Sequence, residues 1–450
     1  MNDLAGILPG KVSTAPEDLT CYGFDASGLE AAPGAVVWAE DVLDVVKVMH
    51  FAYERGIAVI PRGAGSGMTG GAIPSAGAVV LSTEKMNRIL EIDRDNLTVL
   101  VEPGVINGRL QRELERHNLF YPPDPSSMNF CTIGGNVAEN AGGARALKYG
   151  VTRDYVIGLE AVLPDGRIIN TGVRTAKGVV GYDLTRLLVG SEGTLAFITK
   201  IRLRVLPMPE DVITLLALFA EPEQAGEAVQ KIISEGMLPR TLEFLDSETI
   251  KAVENYKSIG LPQSAGAMLL IELDGAPSAI TQDAERISAI CRKLGAEITM
   301  AENELARIKL WEARRAISPA LFHISPTKIN EDIVVPRNRL TEMLRRLHAL
   351  SETTGIRIVN FGHAGDGNIH VNLMVDRKNR AEYEKAQQLV GEIFRATLEL
   401  GGTISGEHGV GLTKQNYIAM EIHPVELDLM KKIKLAFDPK NLLNPGKIFP

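Results

Sequence analysis

Hydrophobic positions recur at helical spacing in one early stretch of the chain. Apolar residues at positions 42, 45, 46 and 49 predict a helix over residues 41–55, which Gly56 ends. Strands are predicted at four short apolar runs: 36–38, 57–60, 78–81 and 98–101. A second helix is expected over residues 106–118. The first thirty or so residues carry no such pattern and are expected to be irregular.

Two long segments between these elements lack any periodicity. Residues 61–71 are dominated by glycine, and residues 121–150 are rich in Pro, Ser, Asn and Gly. We therefore predict both segments to be loops. Long irregular segments in a compact domain are uncommon and usually functional.

The pattern changes after the prolines at positions 207 and 209, where we place a domain boundary. Beyond it, short strands alternate with long amphipathic helices: the strands are at 213–219, 242–245 and 268–273. The helix predicted at 278–294 places Cys291 on its apolar face, so this thiol is expected in the core. A length of 450 residues agrees with two or three domains.

The residues from Gly65 to Gly70 match the dinucleotide-binding pattern G-x-G-x-x-G. That motif needs a helix to open at the loop, and residues 71–77 cannot form one, so we reject the Rossmann interpretation. Consecutive glycines still let backbone N–H groups converge on an anion. A glycine-rich surface turn is the alternative. Two such loops in one domain favour a large phosphate-bearing cofactor between them.

Three of the eight histidines fall in two short glycine-rich motifs. A turn between strand-like runs at 356–360 and 369–374 would bring His363 and His370 close together near the tip of a hairpin. Glu407 and His408 stand in another loop. Imidazoles with a carboxylate are typical ligands of a catalytic divalent metal. The alternative is a set of hydrogen-bonded polar residues in a cleft; both motifs together favour the metal.

Composition and charge narrow the function. The net charge of −8, the pI near 5.7 and the lack of a long basic run give no support to nucleic-acid binding. The longest apolar stretch is too short to span a bilayer, and no signal peptide is recognised at the N-terminus. Three scattered cysteines suit a reducing compartment and cannot form an iron–sulfur cluster alone. We expect a cytoplasmic protein, or one attached peripherally to the inner membrane.

Several ordered motifs resemble the FAD-binding domain of the vanillyl-alcohol oxidase / p-cresol methylhydroxylase (PCMH) superfamily. The motifs are PRGAGSG at 61–67, PDPSS at 123–127, TIGGN at 132–136, NAGG at 140–143 and GSEGTL at 190–195. The second half resembles the FAD-linked oxidase C-terminal domain. The most similar branch holds the flavin-binding component of glycolate oxidase, flavin D-lactate dehydrogenases and D-2-hydroxyglutarate dehydrogenase.

The resemblance implies an α+β fold. A PCMH-type FAD-binding domain of two α/β subdomains would be followed by a C-terminal α+β domain with an antiparallel sheet. We expect an N-terminal segment at 1–32, the FAD-binding domain at 33–209 and the substrate and metal domain at 210–450. The tail at 430–450 would return towards the FAD.

The resemblance also implies the flavin contacts. FAD should be bound noncovalently, because residues 61–71 contain neither the His nor the Cys of covalent relatives, and Cys131 is expected to be a packing residue. The implied contacts are Pro61, Arg62, Gly63, Ala64, Gly65, Ser66, Gly67, Met68, Thr69, Pro103, Gly104, Pro125, Ser126, Ser127, Thr132, Ile133, Gly134, Gly135, Asn136, Asn140, Gly142, Gly143, Tyr149, Glu192, Gly193, Ile198 and Asn444.

The catalytic set follows in the same way. His363, His370 and Glu407 match the family's metal ligands and His408 its presumed catalytic base. Arg314 and Lys328 resemble its carboxylate-binding positions; arginine suits this role because its fork pairs bidentately with a carboxylate. Zinc is the expected ion, with manganese or iron as alternatives.

We therefore predict an FAD-dependent dehydrogenase of a D-2-hydroxy acid such as D-lactate, glycolate or D-2-hydroxyglutarate. The acid would chelate the metal, His408 would remove the hydroxyl proton, and the α-hydride would pass to the flavin. A separate electron-transfer flavoprotein, iron–sulfur subunit, quinone or cytochrome would reoxidise it. A homodimer or a component of a larger complex is expected. The alternatives are a non-redox transferase resembling alkylglycerone-phosphate synthase and a noncatalytic flavin subunit.

Overall fold

The computed structural model of the chain describes residues 1–450. It contains eighteen strands: β1 Val12–Ser13, β2 Ala35–Trp38, β3 Val59–Arg62, β4 Val79–Ser82, β5 Ile89–Asp93, β6 Thr98–Val101, β7 Leu119–Phe120, β8 Val156–Val162, β9 Ile168–Gly172, β10 Phe197–Arg204, β11 Leu206–Pro207, β12 Asp211–Phe219, β13 Thr241–Asp246, β14 Ala267–Gly275, β15 Glu297–Met300, β16 Thr327–Val334, β17 Arg357–Gly362 and β18 Asn368–Val375.

Fifteen α-helices connect these strands. They are α1 Asn2–Ile7, α2 Pro16–Cys21, α3 Val42–Arg55, α4 Asn107–Glu115, α5 Ile133–Glu139, α6 Ala146–Tyr149, α7 Leu184–Leu188, α8 Pro222–Ser234, α9 Ser247–Tyr256, α10 Pro277–Lys293, α11 Glu304–Leu321, α12 Leu340–Thr354, α13 Arg380–Glu399, α14 Ile418–Glu421 and α15 Pro424–Phe437. No helix is long and apolar enough to cross a bilayer.

The chain divides into two units. The first comprises residues 1–142, 150–208 and 407–450, and the second comprises residues 143–149 and 209–406. In the first unit a four-stranded sheet has the order β1-β2-β4-β3, in which β2, β4 and β3 are parallel. A five-stranded antiparallel sheet has the order β5-β6-β10-β8-β9.

Helix α3 packs on the four-stranded sheet. Asp41 caps its N-terminus by accepting the N–H groups of residues 43 and 44, and Gly56 ends it with a φ of +65°. Val45, Val48 and other buried residues of α3 share one hydrophobic cluster with strands β2, β3 and β4. The predicted helix is confirmed, although its buried face also includes Asp44, whose carboxylate accepts a bond from Lys11 at 2.6 Å.

Two expectations of irregular structure are wrong. The first thirty residues form α1, β1 and α2, and Leu4 and Leu8 of this region are buried in the cluster that contains α3. The predicted loop over residues 121–150 contains α5 and α6. Helix α5 forms despite Gly134 and Gly135 because Thr132 caps it, its side chain accepting the N–H of Gly135 at 3.1 Å.

The second unit is built on one seven-stranded antiparallel sheet with the order β15-β12-β14-β13-β17-β18-β16. Helices α9 and α11 pack on it through a shared hydrophobic cluster that includes Leu245, Val253, Ile317 and Val359. Cys291 lies on α10, fully buried, and burial raises its pKa to about 12, so its predicted place in the core is confirmed. The α+β class and the antiparallel sheet are likewise confirmed.

Candidate functional site

The first unit carries a glycine-lined surface where the loop after β3 meets the start of α5. A Cβ on Gly63 would lie 2.4 Å from Oγ1 of Thr132, and one on Gly134 would lie 2.6 Å from Cβ of Pro103. The N–H of Gly134 donates to the carbonyl oxygen of Pro103 at 2.8 Å. These approaches bring together three predicted flavin-binding segments. The surface fits FAD, since glycines leave backbone N–H groups open to a phosphate or a ring.

The side chain of Arg62 packs against the glycine loop. Its Nη1 donates to the carbonyl oxygen of Phe24 at 2.8 Å, and its guanidinium lies 5.4 Å from the ring centroid of Tyr22. Gly65 has a φ of +66°, and a Cβ there would lie 2.3 Å from Nη2 of Arg62. Glycine is therefore required at this turn. Burial lowers the pKa of Arg62.

The other residues predicted to contact FAD are spread over this unit. Asn444 has a structural contact, because its Nδ2 donates to the carbonyl oxygens of Gly71 at 3.0 Å and Glu192 at 2.7 Å. The rest lie on β3, α5, β10 and the loops: Pro61, Ala64, Ser66, Gly67, Met68, Gly104, Pro125, Ser126, Ser127, Ile133, Gly135, Asn136, Asn140, Gly142, Gly193 and Ile198.

Cys131 lies immediately before the N-cap of α5. Its side chain is buried, and Nδ2 of Asn136 donates to its Sγ at 3.4 Å. Burial raises the pKa of this thiol. A protonated, buried thiol is inert, and such a residue acts in packing.

Residues 407–413 are anchored within the first unit by two side chains. The carboxylate of Glu192 accepts the N–H groups of Val410 and Gly411, each at 2.7 Å. The hydroxyl of Thr69 donates to the carbonyl oxygen of His408 at 3.1 Å. A hydrogen bond from Thr69 therefore joins the glycine loop directly to the backbone of His408, the predicted base.

The predicted metal ligand Glu407 also belongs to the first unit. Glu407 and His408 are half-buried. A Cβ on Gly142 would lie 2.7 Å from Oε2 of Glu407. Glycine at position 142 thus makes room for this carboxylate.

Glu139 is a half-buried acid with a buried Oε2 atom, and the sequence analysis missed it. A Cβ on Gly409 would lie 2.6 Å from Oε2 of Glu139 and 3.0 Å from Oε1 of Glu192, so the two carboxyl groups meet beneath this glycine. Burial, and then the charges of Glu192 and Asp25, raise the pKa of Glu139 well above its usual value. Burial also raises the pKa of Glu192. The pair therefore favours holding a proton.

The second unit brings the two predicted histidine ligands together. His363 follows β17, and His370 lies in the paired strand β18. Their ring centroids are 5.2 Å apart at an interplanar angle of 84°, and a ring nitrogen of each lies within 4.8 Å of the other. Neutral imidazole nitrogens at this separation fit a divalent transition metal.

Glu243 on β13 joins one of these histidines to the predicted carboxylate-binding arginine. Its Oε1 lies 2.5 Å from Nδ1 of His363, and its Oε2 accepts the N–H of Nε of Arg314 at 2.5 Å. Burial alone would raise the pKa of Glu243, but the charges and hydrogen bonds of His363 and Arg314 outweigh it and lower the pKa to about 2. Arg314 is itself buried on α11, and its guanidinium carbon lies 5.0 Å from the ring centroid of Phe361.

Lys328 lies on β16 beside the same helix. Its Nζ donates to Oγ of Ser318 at 2.7 Å and lies 5.0 Å from the ring centroid of Phe322. Burial lowers its pKa to about 8. Lys328 therefore loses its positive charge as the pH rises through about 8.

Asp332 is a second acid that sequence reasoning missed. It is fully buried opposite His370 in the β16–β18 pairing, with Oδ1 at 3.9 Å from Nδ1 of that histidine. It also accepts the N–H of Gly406 at 2.9 Å and an amide N–H of Asn368 at 2.6 Å. Its immediate neighbours include Asn330 and Glu331, so the local pattern did not distinguish it from a solvent-exposed acid.

Two predicted flavin contacts belong to the second unit. Gly143 begins its short N-terminal segment, and Tyr149 ends α6. The hydroxyl of Tyr149 donates to Oδ2 of Asp274 at 2.8 Å, and Nζ of Lys148 donates to the carbonyl oxygen of Asp274 at 2.6 Å. These bonds tie α6 to the end of β14.

Comparisons with known proteins show which families the two halves of the chain match. Residues 33–172 match the FAD binding domain family, and residues 208–448 match the family of FAD linked oxidases, C-terminal domain. The glycolate oxidase subunit GlcD of Bacillus subtilis is 47% identical over 95% of this chain and 92% of its own length. A D-lactate dehydrogenase of Anaerostipes hadrus is 36% identical over 96% and 91%. A D-2-hydroxyglutarate dehydrogenase of Stutzerimonas stutzeri is 31% identical over 98% and 97%.

Solved structures share the fold at low sequence identity. p-Cresol methylhydroxylase with substrate bound is 18% identical, with a TM-score of 0.82 over 99% of this chain and 95% of that protein. Alkyldihydroxyacetonephosphate synthase is also 18% identical, with a TM-score of 0.77 over 99% and 85%. The predicted resemblance and fold class are confirmed.

Proposed function

Because the chain belongs to the family of FAD-linked oxidases, we propose that it oxidises a D-2-hydroxy acid to the corresponding 2-oxo acid. FAD-dependent oxidation of a hydroxy acid is the activity common to the named relatives, which act on glycolate, D-lactate or D-2-hydroxyglutarate. The particular acid, the metal and the roles of single residues are part of the same proposal.

One observation carries the substrate class. The guanidinium of Arg314 and the imidazole of His363 are held by the two oxygens of one buried carboxylate, Glu243. A 2-hydroxy acid has a carboxylate and a hydroxyl on adjacent carbons. A carboxylate-pairing fork beside a metal-binding imidazole matches those two groups.

The residues then take the following roles. Arg314 pairs with the substrate carboxylate through its Nη nitrogens, and Lys328 adds a second positive charge. His408 accepts the hydroxyl proton on its imidazole. When bound, FAD supplies the acceptor of the α-hydride, and a divalent cation held by His363, His370 and Glu407 supplies positive charge at the substrate hydroxyl. Loss of one proton and one hydride converts the alcohol carbon to a carbonyl, so the 2-oxo acid leaves.

An anaerobic screen of flavin absorbance tests the proposal. Paired D- and L-2-hydroxy acids and glycolate are mixed with the FAD-loaded protein in the absence of oxygen. We expect a D-acid or glycolate to bleach the flavin and the L-acids to leave it oxidised. If dithionite bleaches the flavin but no 2-hydroxy acid does, the proposal is wrong and a non-redox flavin reaction takes its place.

A matched pair of variants tests the carboxylate-binding role. Arg314→Lys should raise KM because an ammonium cannot pair bidentately. Arg315→Lys, at the exposed neighbouring position, is the control and should keep the parent KM. Equal KM values in the two variants would contradict the role of Arg314.

Chelation tests the metal. We expect a chelator to abolish turnover while FAD stays bound, because the flavin-binding glycines and the two histidines belong to different units. Zinc or manganese should restore turnover. Full activity of a preparation that elemental analysis finds free of metal would contradict the metal role.

A further inference from the structure

We propose that Glu243 is a positioning residue that fixes the ring tautomer of His363 and the orientation of Arg314. The inference rests on the proposed function, in which these two residues bind the metal and the substrate carboxylate. No feature of the sequence pattern had pointed to Glu243, which stands in an apolar strand.

The backbone places Glu243 directly opposite His363. In the antiparallel pairing of β13 with β17, Phe244 faces Gly362, so Glu243 and His363 are the next residues along the two strands. The Glu243 side chain is fully buried. Its position is therefore set by the sheet.

Both oxygens of this carboxylate are occupied by different partners. Oε1 lies 2.5 Å from Nδ1 of His363, and Oε2 lies 2.5 Å from Nε of Arg314. The Nε of arginine is always a donor, and a carboxylate only accepts. A neutral His363 ring must then carry its hydrogen on Nδ1, and its Nε2 keeps the lone pair that metal ligation requires.

A glutamine at position 243 could not reproduce this pattern. An amide has one acceptor oxygen and one donor NH2 group, whereas both partners need an acceptor. Either Arg314 or His363 would face the NH2 group. If His363 does, its ring must move its hydrogen to Nε2, where it blocks ligation, or lose the bond.

Glu243→Gln is the test, and Glu272→Gln is its matched control. Glu272 is also a buried glutamate of this sheet, on the neighbouring strand β14, and it accepts bonds from Trp311 and Thr214 instead of a histidine. Zinc affinity is measured by titration of the FAD-loaded protein. Loss of such an outer partner typically weakens metal binding about 10–100-fold, so we expect this loss for Glu243→Gln and parent affinity for Glu272→Gln.

Nitrogen-15 NMR of the histidine rings supplies a readout that a purely structural role would not move. In the metal-free parent we expect His363 to carry its hydrogen on Nδ1, and in Glu243→Gln we expect a mixture or the Nε2 form. Thermal denaturation with each measurement identifies a variant that does not fold. In a His363→Ala background, Glu243→Gln should have no further effect on zinc affinity.

The possible outcomes separate this inference from the proposed function. A parent protein that binds no zinc refutes the metal part of the function, while the tautomer of His363 still tests Glu243. An Nε2 hydrogen on His363 in the parent would overturn the inference directly. So would equal zinc affinities of Glu243→Gln and Glu272→Gln in the folded proteins.

Discussion

Gly63→Ala should destabilise the first unit because the added Cβ would clash with one atom, Oγ1 of Thr132. The substitution Thr132→Ala removes that atom. A Cβ on Gly63 would lie 2.4 Å from Oγ1 of Thr132, whereas the next atom, Cβ of Thr132, is 3.6 Å away, which is ordinary contact. Gly63 has no positive φ, so alanine brings no backbone strain. Overpacking of this kind typically costs about 1–3 kcal/mol.

The hydroxyl of Thr132 also has a function of its own. It caps α5 by accepting the N–H of Gly135 at 3.1 Å, and loss of such a cap costs about 0.5–2 kcal/mol. In the double variant Gly63→Ala/Thr132→Ala the clash is gone, so only the loss of the cap remains. We expect a double variant close to Thr132→Ala alone, with a coupling of about 1–3 kcal/mol between the two sites.

Thermal unfolding and flavin release are the assays for this cycle. For a unit of this size, 1 kcal/mol corresponds to a shift in Tm of about 2–4 °C. We expect each single variant to have a lower Tm and to retain less FAD than the parent. The double variant should be no lower than Thr132→Ala in either measurement. Additive losses would refute the assignment of the clash to this oxygen.

His408→Asn should eliminate flavin reduction and keep the metal content of the parent, whereas Glu407→Gln should lose both. Anaerobic stopped-flow measurement of flavin reduction, together with elemental analysis of each variant, tests this prediction. A reduction rate near that of the parent in His408→Asn would contradict it. Since burial lowers the pKa of Lys328 to about 8, its charge is lost as pH rises through that value, and KM should rise there. Lys328→Arg should keep a flat profile; a flat parent profile would argue against the role. Acid denaturation should release all flavin as free FAD, and colour left on the precipitate would show a covalent link.

Local patterns predicted the regular elements whose partners are close in sequence. The helix at 41–55 could be predicted because its cap, its apolar face and its terminal glycine all lie within sixteen residues. The burial of Asp44 on this helix could not be predicted, because its partner Lys11 is 33 residues away in the sequence. Helix α5 was missed for the same reason: Gly134 looks like a loop residue until Pro103 is seen to leave no space for a side chain there.

In the candidate site, too, contacts between residues close in sequence could be predicted and contacts between distant residues could not. His363 and His370 are seven residues apart around a turn, so their encounter could be inferred from the sequence alone. Glu243 is 120 residues from His363 and 71 from Arg314. The pairing of β13 with β17 and the packing of α11 on the sheet bring the three together.

Acids of the two units have pKa values that are shifted in opposite directions. Glu243 faces two nitrogen donors, which lower its pKa to about 2 and keep it an acceptor for both. Glu139 faces Glu192 and a glycine, and burial with the neighbouring charge raises its pKa. A protonated Glu139 would not repel Glu192, whose carboxylate accepts the N–H groups of Val410 and Gly411. The turn after His408 is therefore fixed to the unit that carries the glycine loop, whereas Glu243 in the second unit holds His363 and Arg314.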